Sequence, residues 1–162
     1  MKVSKKQALE NRAHIVQTAS VLFRERGYDG VGVADIMAAA GFTHGGFYKH
    51  FRSKADLMAE AAANSLTQST TQSAAADVAG FVKEYVSRKH RDAPGRGCSL
   101  AALCSDAARQ PGSVKTTFAD GIESQLAALA LEDGPLNKTA KREARAKRID
   151  TLAHVIGAIV LS

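Results

Sequence analysis

The chain is predicted to be all-α. Apolar residues recur at three- and four-residue spacing along most of its 162 residues, no alternating strand-type run persists, and the prolines stand only at 94, 111 and 135. Hydrophobic residues make up 45% and charged residues 23%, so a folded core is expected in one domain or two small ones, and a large multidomain enzyme is excluded.

The first helix is expected over residues 7–26. Leu9, Ile15, Val16, Ala19, Leu22 and Phe23 share a face, Arg24 and Arg26 suit the negative end of the helix dipole, and Gly27 stops it. After a break at 28–32, Val33, Ile36, Met37 and Ala40 mark a two-turn helix ended by Gly41. Thr43 is a competent N-cap for a second short helix, 43–51, that buries Phe47 and Phe51. Ser53 and Asp56 form an imperfect capping box at the start of a longer helix. The stretch 65–73, rich in Ser, Thr and Gln, reads as the tail of that helix rather than a linker, because it holds neither Gly nor Pro. Val78, Phe81, Val82, Tyr85 and Val86 then predict one amphipathic helix over 77–90. A Pro/Gly loop at 93–97 leads to a helix over 98–110, and Pro111 and Gly112 break the chain again. Val114, Phe118, Ile122, Leu126 and Leu129 carry the next helix. Pro135 marks one more break before a last segment, 138–161, that begins basic and ends apolar. About eight helices result.

The formal charge of +6 makes an anionic partner plausible but does not choose between nucleic acid and a membrane surface. The polar N-terminus is unlike a signal peptide, two cysteines make no disulfide framework, and the most apolar stretch, 152–161, is half of the roughly 20 residues a membrane helix needs. A cytoplasmic protein without a membrane span is expected.

Helix, three-residue turn, helix over 33–50 is the arrangement that sets one helix across the DNA backbone and the next in the major groove. Residues 41–55 contain Lys49, Arg52, Lys54, His44 and His50 and no acidic residue, as phosphate contacts require. Gly45 and Gly46 each cost about 1 kcal/mol relative to Ala inside a helix. Either they form an irregular turn, or their bare backbone lets the helix approach DNA closely. With Thr43 before them and Tyr48, Lys49 and His50 after, the DNA reading is favoured, with Tyr48 and Lys54 as phosphate ligands.

The segment VGVADIMAAAGFTHGGFYKHFRSKADLM, and within it G-x-T-x-G-x-F-Y-x-H-F-x-S-K from Gly41 to Lys54, resembles the helix-turn-helix of the TetR/AcrR family of bacterial transcriptional regulators. The resemblance covers about the first 60 residues. It implies a helix-turn-helix DNA-binding domain at 1–53 and a helical ligand-binding and dimerisation domain at 54–162, acting as a homodimeric repressor on a palindromic operator in double-stranded DNA and released by a small-molecule inducer. Carried over by position, the DNA-facing set is Thr43, His44, Gly45, Gly46, Tyr48, Lys49, His50 and Lys54. One departure stands out: Gly32 and Val33 occupy positions where the family usually has a Ser or Thr cap. Family members also continue into one more helix where this chain ends after Ile159, Val160 and Leu161, so the last helix is expected to be missing. An inducer pocket is expected around Phe81, Tyr85, Cys98, Leu103, Phe118 and Ile122, each of which could equally be plain core.

Cys98 and Cys104 are six apart, about 9 Å along a helix axis, too far for a disulfide. Cys98 follows Arg96 at an expected helix start, so a thiol sensor of electrophiles or oxidants is an alternative to a structural cysteine. No metal motif, cofactor motif or catalytic spacing is present, and an enzyme is not expected. The remaining alternative is a non-DNA helical module that uses the basic run 138–148.

Overall fold

The computed structural model describes residues 4–74, 77–130 and 137–162, which form eight α-helices and two short 3₁₀ segments. Helix α1 (Lys5–Arg26) begins where the Ser4 hydroxyl accepts the Gln7 N–H at 3.1 Å and ends at Gly27, whose φ of 74° turns the chain away. In α2 (Val33–Ala39), Asp35 accepts the Gly32 N–H at 2.9 Å, which is half of a capping box. Gly32 has no side chain to return the bond, so Asp35 alone organises the helix start. Gly41, with φ 79°, closes α2, and the 3₁₀ segment His44–Lys49 follows.

Helix α3 (Lys54–Ala74) starts with the Ser53 hydroxyl accepting the Asp56 N–H. The polar stretch continues this helix because its hydroxyls turn back onto helix carbonyls, Thr70 to Leu66 at 2.9 Å and Thr71 to Thr67 at 3.0 Å. The single helix expected over 77–90 is two: α4 (Val78–Tyr85) and α5 (Arg88–Arg91). Ser87 gives the backbone an alternative by accepting the His90 N–H, and the His90 ring takes the Tyr85 carbonyl at 2.6 Å. Val86, which completed the apolar period, is exposed. A 3₁₀ turn, Pro94–Arg96, leads to α6 (Ser99–Ala107), α7 (Gly112–Ala128) and α8 (Lys138–Val160). The break expected at Pro135 lies outside the described residues. Among the described residues no helix is long and apolar enough to cross a membrane.

One continuous core runs through α3. At its start α3 packs on α1, where Arg12 pairs with Glu60 and covers the Phe51 ring at 4.6 Å from its centroid. Further along it meets α7 so closely that a Cβ at Gly121 would lie 2.6 Å from the Leu66 side chain. Arg145 on α8 makes two hydrogen bonds to Glu123 on α7, at 2.9 and 2.7 Å, which hold the Glu123 carboxyl below its ordinary pKa.

Tyr28 is fully buried, its ring edge-on to Phe23, and its hydroxyl has no hydrogen-bond partner among the described residues. Burial first, and Asp106 second, hold the phenol above its ordinary pKa. A buried hydroxyl without a partner costs about 1–3 kcal/mol. Tyr28→Phe is therefore expected to raise the urea midpoint with an unchanged m-value; a lower midpoint would show that the hydroxyl is satisfied in solution.

Candidate nucleic-acid interface and the cavity behind it

The turn and second short helix are seated by apolar residues. Ile36, Met37, Phe47 and Phe51 are buried, with the two phenylalanine rings 5.4 Å apart. The Phe42 N–H reaches the Met37 carbonyl at 2.8 Å and closes the turn. At three residues per turn, a 3₁₀ segment places Gly45 with Tyr48 along one edge and Gly46 with Lys49 along the next. Thr43, His44, Gly45, Tyr48 and Lys49 are exposed, while Gly46 and His50 are half-buried. Tyr48 stands out at 67% exposure, braced by the Phe47 ring at 5.2 Å and near the His44 ring at 6.3 Å.

Two expected details differ. Thr43 has the extended backbone of an N-cap, but its hydroxyl makes no capping bond; the Gly46 N–H goes instead to the Thr43 carbonyl at 2.9 Å. That bond spans three residues, so the segment tightens to 3₁₀ geometry and leaves the hydroxyl uncommitted to the cap. Lys54 is half-buried, and its ammonium donates to the Tyr28 carbonyl at 2.5 Å, tying the start of α3 to the turn after α1. An ammonium has three donors, so this tie leaves others for a phosphate.

The glycine pair is the most informative feature of the segment. Both residues have ordinary negative φ, since the described positive-φ glycines are Gly27 and Gly41. A Cβ at Gly45 would meet nothing within 4 Å, and one at Gly46 would make ordinary contacts at 3.5 Å or more with Met37 and Thr43. Among the described residues nothing requires either glycine, although each weakens a helix.

Arg24 of α1, α3, α4 and the segment 89–98 line a partly open cavity of about 450 Å³. Of the six residues expected around an inducer, Phe81, Tyr85 and Cys98 line this cavity and Leu103, Phe118 and Ile122 do not. Leu103 on α6 and Phe118 on α7 are closed into the core, and Ile122 packs half-buried against it, because α7 lies along α3. Cys98 is buried and receives the Ser69 hydroxyl at 3.7 Å, whereas Cys104 is exposed.

Residues not foreseen from sequence tie this region to α1. Arg24, read as a helix-end charge, is buried on the cavity wall, donating to the Gly95 carbonyl from Nε at 3.1 Å and from Nη2 at 2.5 Å, and to Ser20 at 2.6 Å. Asp106 on α6 accepts the Tyr28 N–H at 3.0 Å, just past the end of α1. Neither role has a local signal, because each partner is more than 70 residues away in sequence.

The seated helical pair and its acid-free exposed edge form a helix-turn-helix at the end of a helical body. Residues 15–61 match the family model described as "Bacterial regulatory proteins, tetR family". Residues 15–61 thus carry a helix-turn-helix domain similar to that of the TetR family. The chain is 40% identical over 57 residues to the HTH-type transcriptional regulator AcrR of Shigella flexneri, covering 35% of this chain and 26% of that protein. Over 43 residues it is 51% identical to the HTH-type transcriptional repressor DhaR of Mycobacterium sp. (strain GP1), covering 26% of this chain and 22% of that one. The match thus spans about a quarter of each relative. In fold the chain resembles the reduced form of E. coli NemR, with TM-score 0.76, 19% identity, and 94% of this chain and 86% of that one covered. It also resembles Bacillus subtilis FadR in complex with stearoyl-CoA, with TM-score 0.59, 17% identity, and 92% and 85% covered.

Proposed function

We propose that the chain is a ligand-responsive transcriptional repressor that binds a palindromic operator as a homodimer in the cytoplasm, with residues 1–53 on the DNA and 54–162 for ligand and dimer contacts. The observation that carries the DNA reading is the glycine pair that nothing in the fold demands, on an exposed edge with Thr43, His44, Tyr48 and Lys49. Gly45 and Gly46 let the backbone approach the duplex, Tyr48, Lys54 and His50 contact phosphates, and Thr43, His44 and Lys49 reach base edges. A two-fold dimer would set these segments about 34–36 Å apart, one helical turn of DNA. Exposed Ile149 and Val160 on α8, with Leu161 just after it, support a subunit contact there. The cavity supports the inducer, and a neighbour of the same fold, FadR, holds stearoyl-CoA. Burial of Cys98 favours a ligand site over a thiol sensor.

Selection of bound sequences from random duplex DNA, combined with sedimentation, tests the proposal: a monomer that enriches no motif sinks it. Binding to anionic vesicles instead of duplex would favour the basic start of α8 as the working surface. Two lysines separate contact from support. Lys49→Ala is expected to reduce the salt dependence of DNA binding by about one phosphate and shift sequence preference, with stability unchanged. Lys54→Ala is expected to lower the salt dependence similarly but also to destabilise the fold, by about 1–2 kcal/mol for the lost bond to Tyr28. Equal salt slopes for wild type and Lys54→Ala would remove Lys54 from the phosphate set.

A further inference from the structure

The cavity holds a buried cation and a buried hydroxyl that the protein itself does not fully use. Tyr85 is 7% exposed and Arg24 8% exposed, and both line the cavity. The Tyr85 hydroxyl makes no well-formed hydrogen bond to an oxygen or nitrogen among the described residues, and meets only the weakly bonding Cys98 thiol. Its phenol is held above the ordinary pKa, mainly by burial and then by the nearby Cys98 sulfur, so it is present as a donor. The three hydrogen bonds of the Arg24 guanidinium go to neutral acceptors, Gly95 and Ser20, and no carboxylate among the described residues forms an ion pair with it. A guanidinium carries five N–H donors, so it has capacity left. Glu25 acts on the guanidinium electrostatically without forming an ion pair, so an anion brought directly beside this buried cation still offsets part of its desolvation cost.

The surroundings admit an anion. Lys89 and Arg96 add positive charge at the rim, and Glu84 is occupied by Lys89 at 3.3 Å. The His90 ring cannot serve as a further donor, because one nitrogen holds the Tyr85 carbonyl and the other accepts the Cys98 N–H at 2.9 Å. Phe81 and Tyr85, with rings 5.3 Å apart, supply an apolar wall. The Tyr85 ring stands 4.6 Å from the His90 ring, whose Nε2 accepts the Cys98 N–H, three residues beyond the Gly95 carbonyl that Arg24 holds.

We propose that this cavity takes a small monocarboxylic acid, its carboxylate received by the Arg24 guanidinium and the Tyr85 hydroxyl and its apolar body against Phe81. Arg24 also ties α1 to Gly95, so a carboxylate competing for its N–H groups loosens α1, the helix that supports the DNA-facing pair, from the 94–96 turn. This consequence for DNA rests on the regulator reading above; the binding itself does not.

The test is calorimetric titration of the full chain with benzoate, cinnamate and octanoate, each beside its primary amide. At least one acid is expected to bind, with its amide at least tenfold weaker. Tyr85→Phe, which removes only a weak contact with the Cys98 thiol, should not lower the melting temperature and should weaken the acid at least tenfold. Arg24→Gln should abolish binding, but it also cuts a structural tie, so Tyr85→Phe is the deciding variant. An amide as tight as its acid, an unchanged affinity in Tyr85→Phe, or no binding by any of the three acids overturns the proposal. Selected duplex DNA supplies the second arm: DNA selection without acid binding removes the anion site and leaves the regulator, whereas Tyr85-dependent acid binding without DNA selection does the reverse.

Discussion

Gly45→Ala is expected to make the protein more stable and its DNA binding worse. An added Cβ finds open space and an ordinary φ, so the substitution mainly restricts the unfolded chain and should stabilise by about 0.4–1 kcal/mol. On the bound side, the same methyl would stand between the backbone and the duplex on the edge shared with Tyr48, and affinity should fall at least tenfold. Urea unfolding and duplex titration at one fixed salt concentration read the two effects separately. If both measurements improve, the glycine is not a point of DNA approach.

Gly27→Ala is expected to be strongly destabilising. Gly27 has φ 74° and ψ 167°, a region essentially reserved for glycine, where another residue costs about 1–3 kcal/mol. Its Cβ would also lie 2.7 Å from Asp106 Oδ2, the atom that accepts the Tyr28 N–H. Displacing Asp106 leaves that N–H without its partner, which adds about 1–3 kcal/mol. Gly41→Ala is the control: its φ is 79° but its Cβ would meet nothing within 4 Å, so it should show the strain alone. Equal losses in the two variants, measured by denaturant unfolding, would mean that Asp106 contributes nothing to the joint between α1 and α6.

These two glycines illustrate what can be read locally. Gly27 was legible as a helix stop because a helix end is a local pattern, and so were the seats of Phe47 and Phe51, set by their four-residue spacing. The division of 77–90 into α4 and α5 was not, since the apolar period runs through it; what decides is a Ser87 cap and a His90 ring that also reaches Cys98. The cavity was half legible. Phe81, Tyr85 and Cys98 line it, but Leu103, Phe118 and Ile122 have the same apolar character and face the core.

The amino-acid order by itself determined the all-helical fold, the positions of most helix ends and the acid-free helix-turn-helix surface, because periodicity, caps and charge act over a few residues. Only the tertiary structure decided that Gly45 has room for a side chain, that Arg24 is a buried cation on a cavity wall, and that Asp106 closes the end of α1. Each of these depends on which distant segments the packed helices bring within a few ångströms, and spacing along one helix carries no record of that.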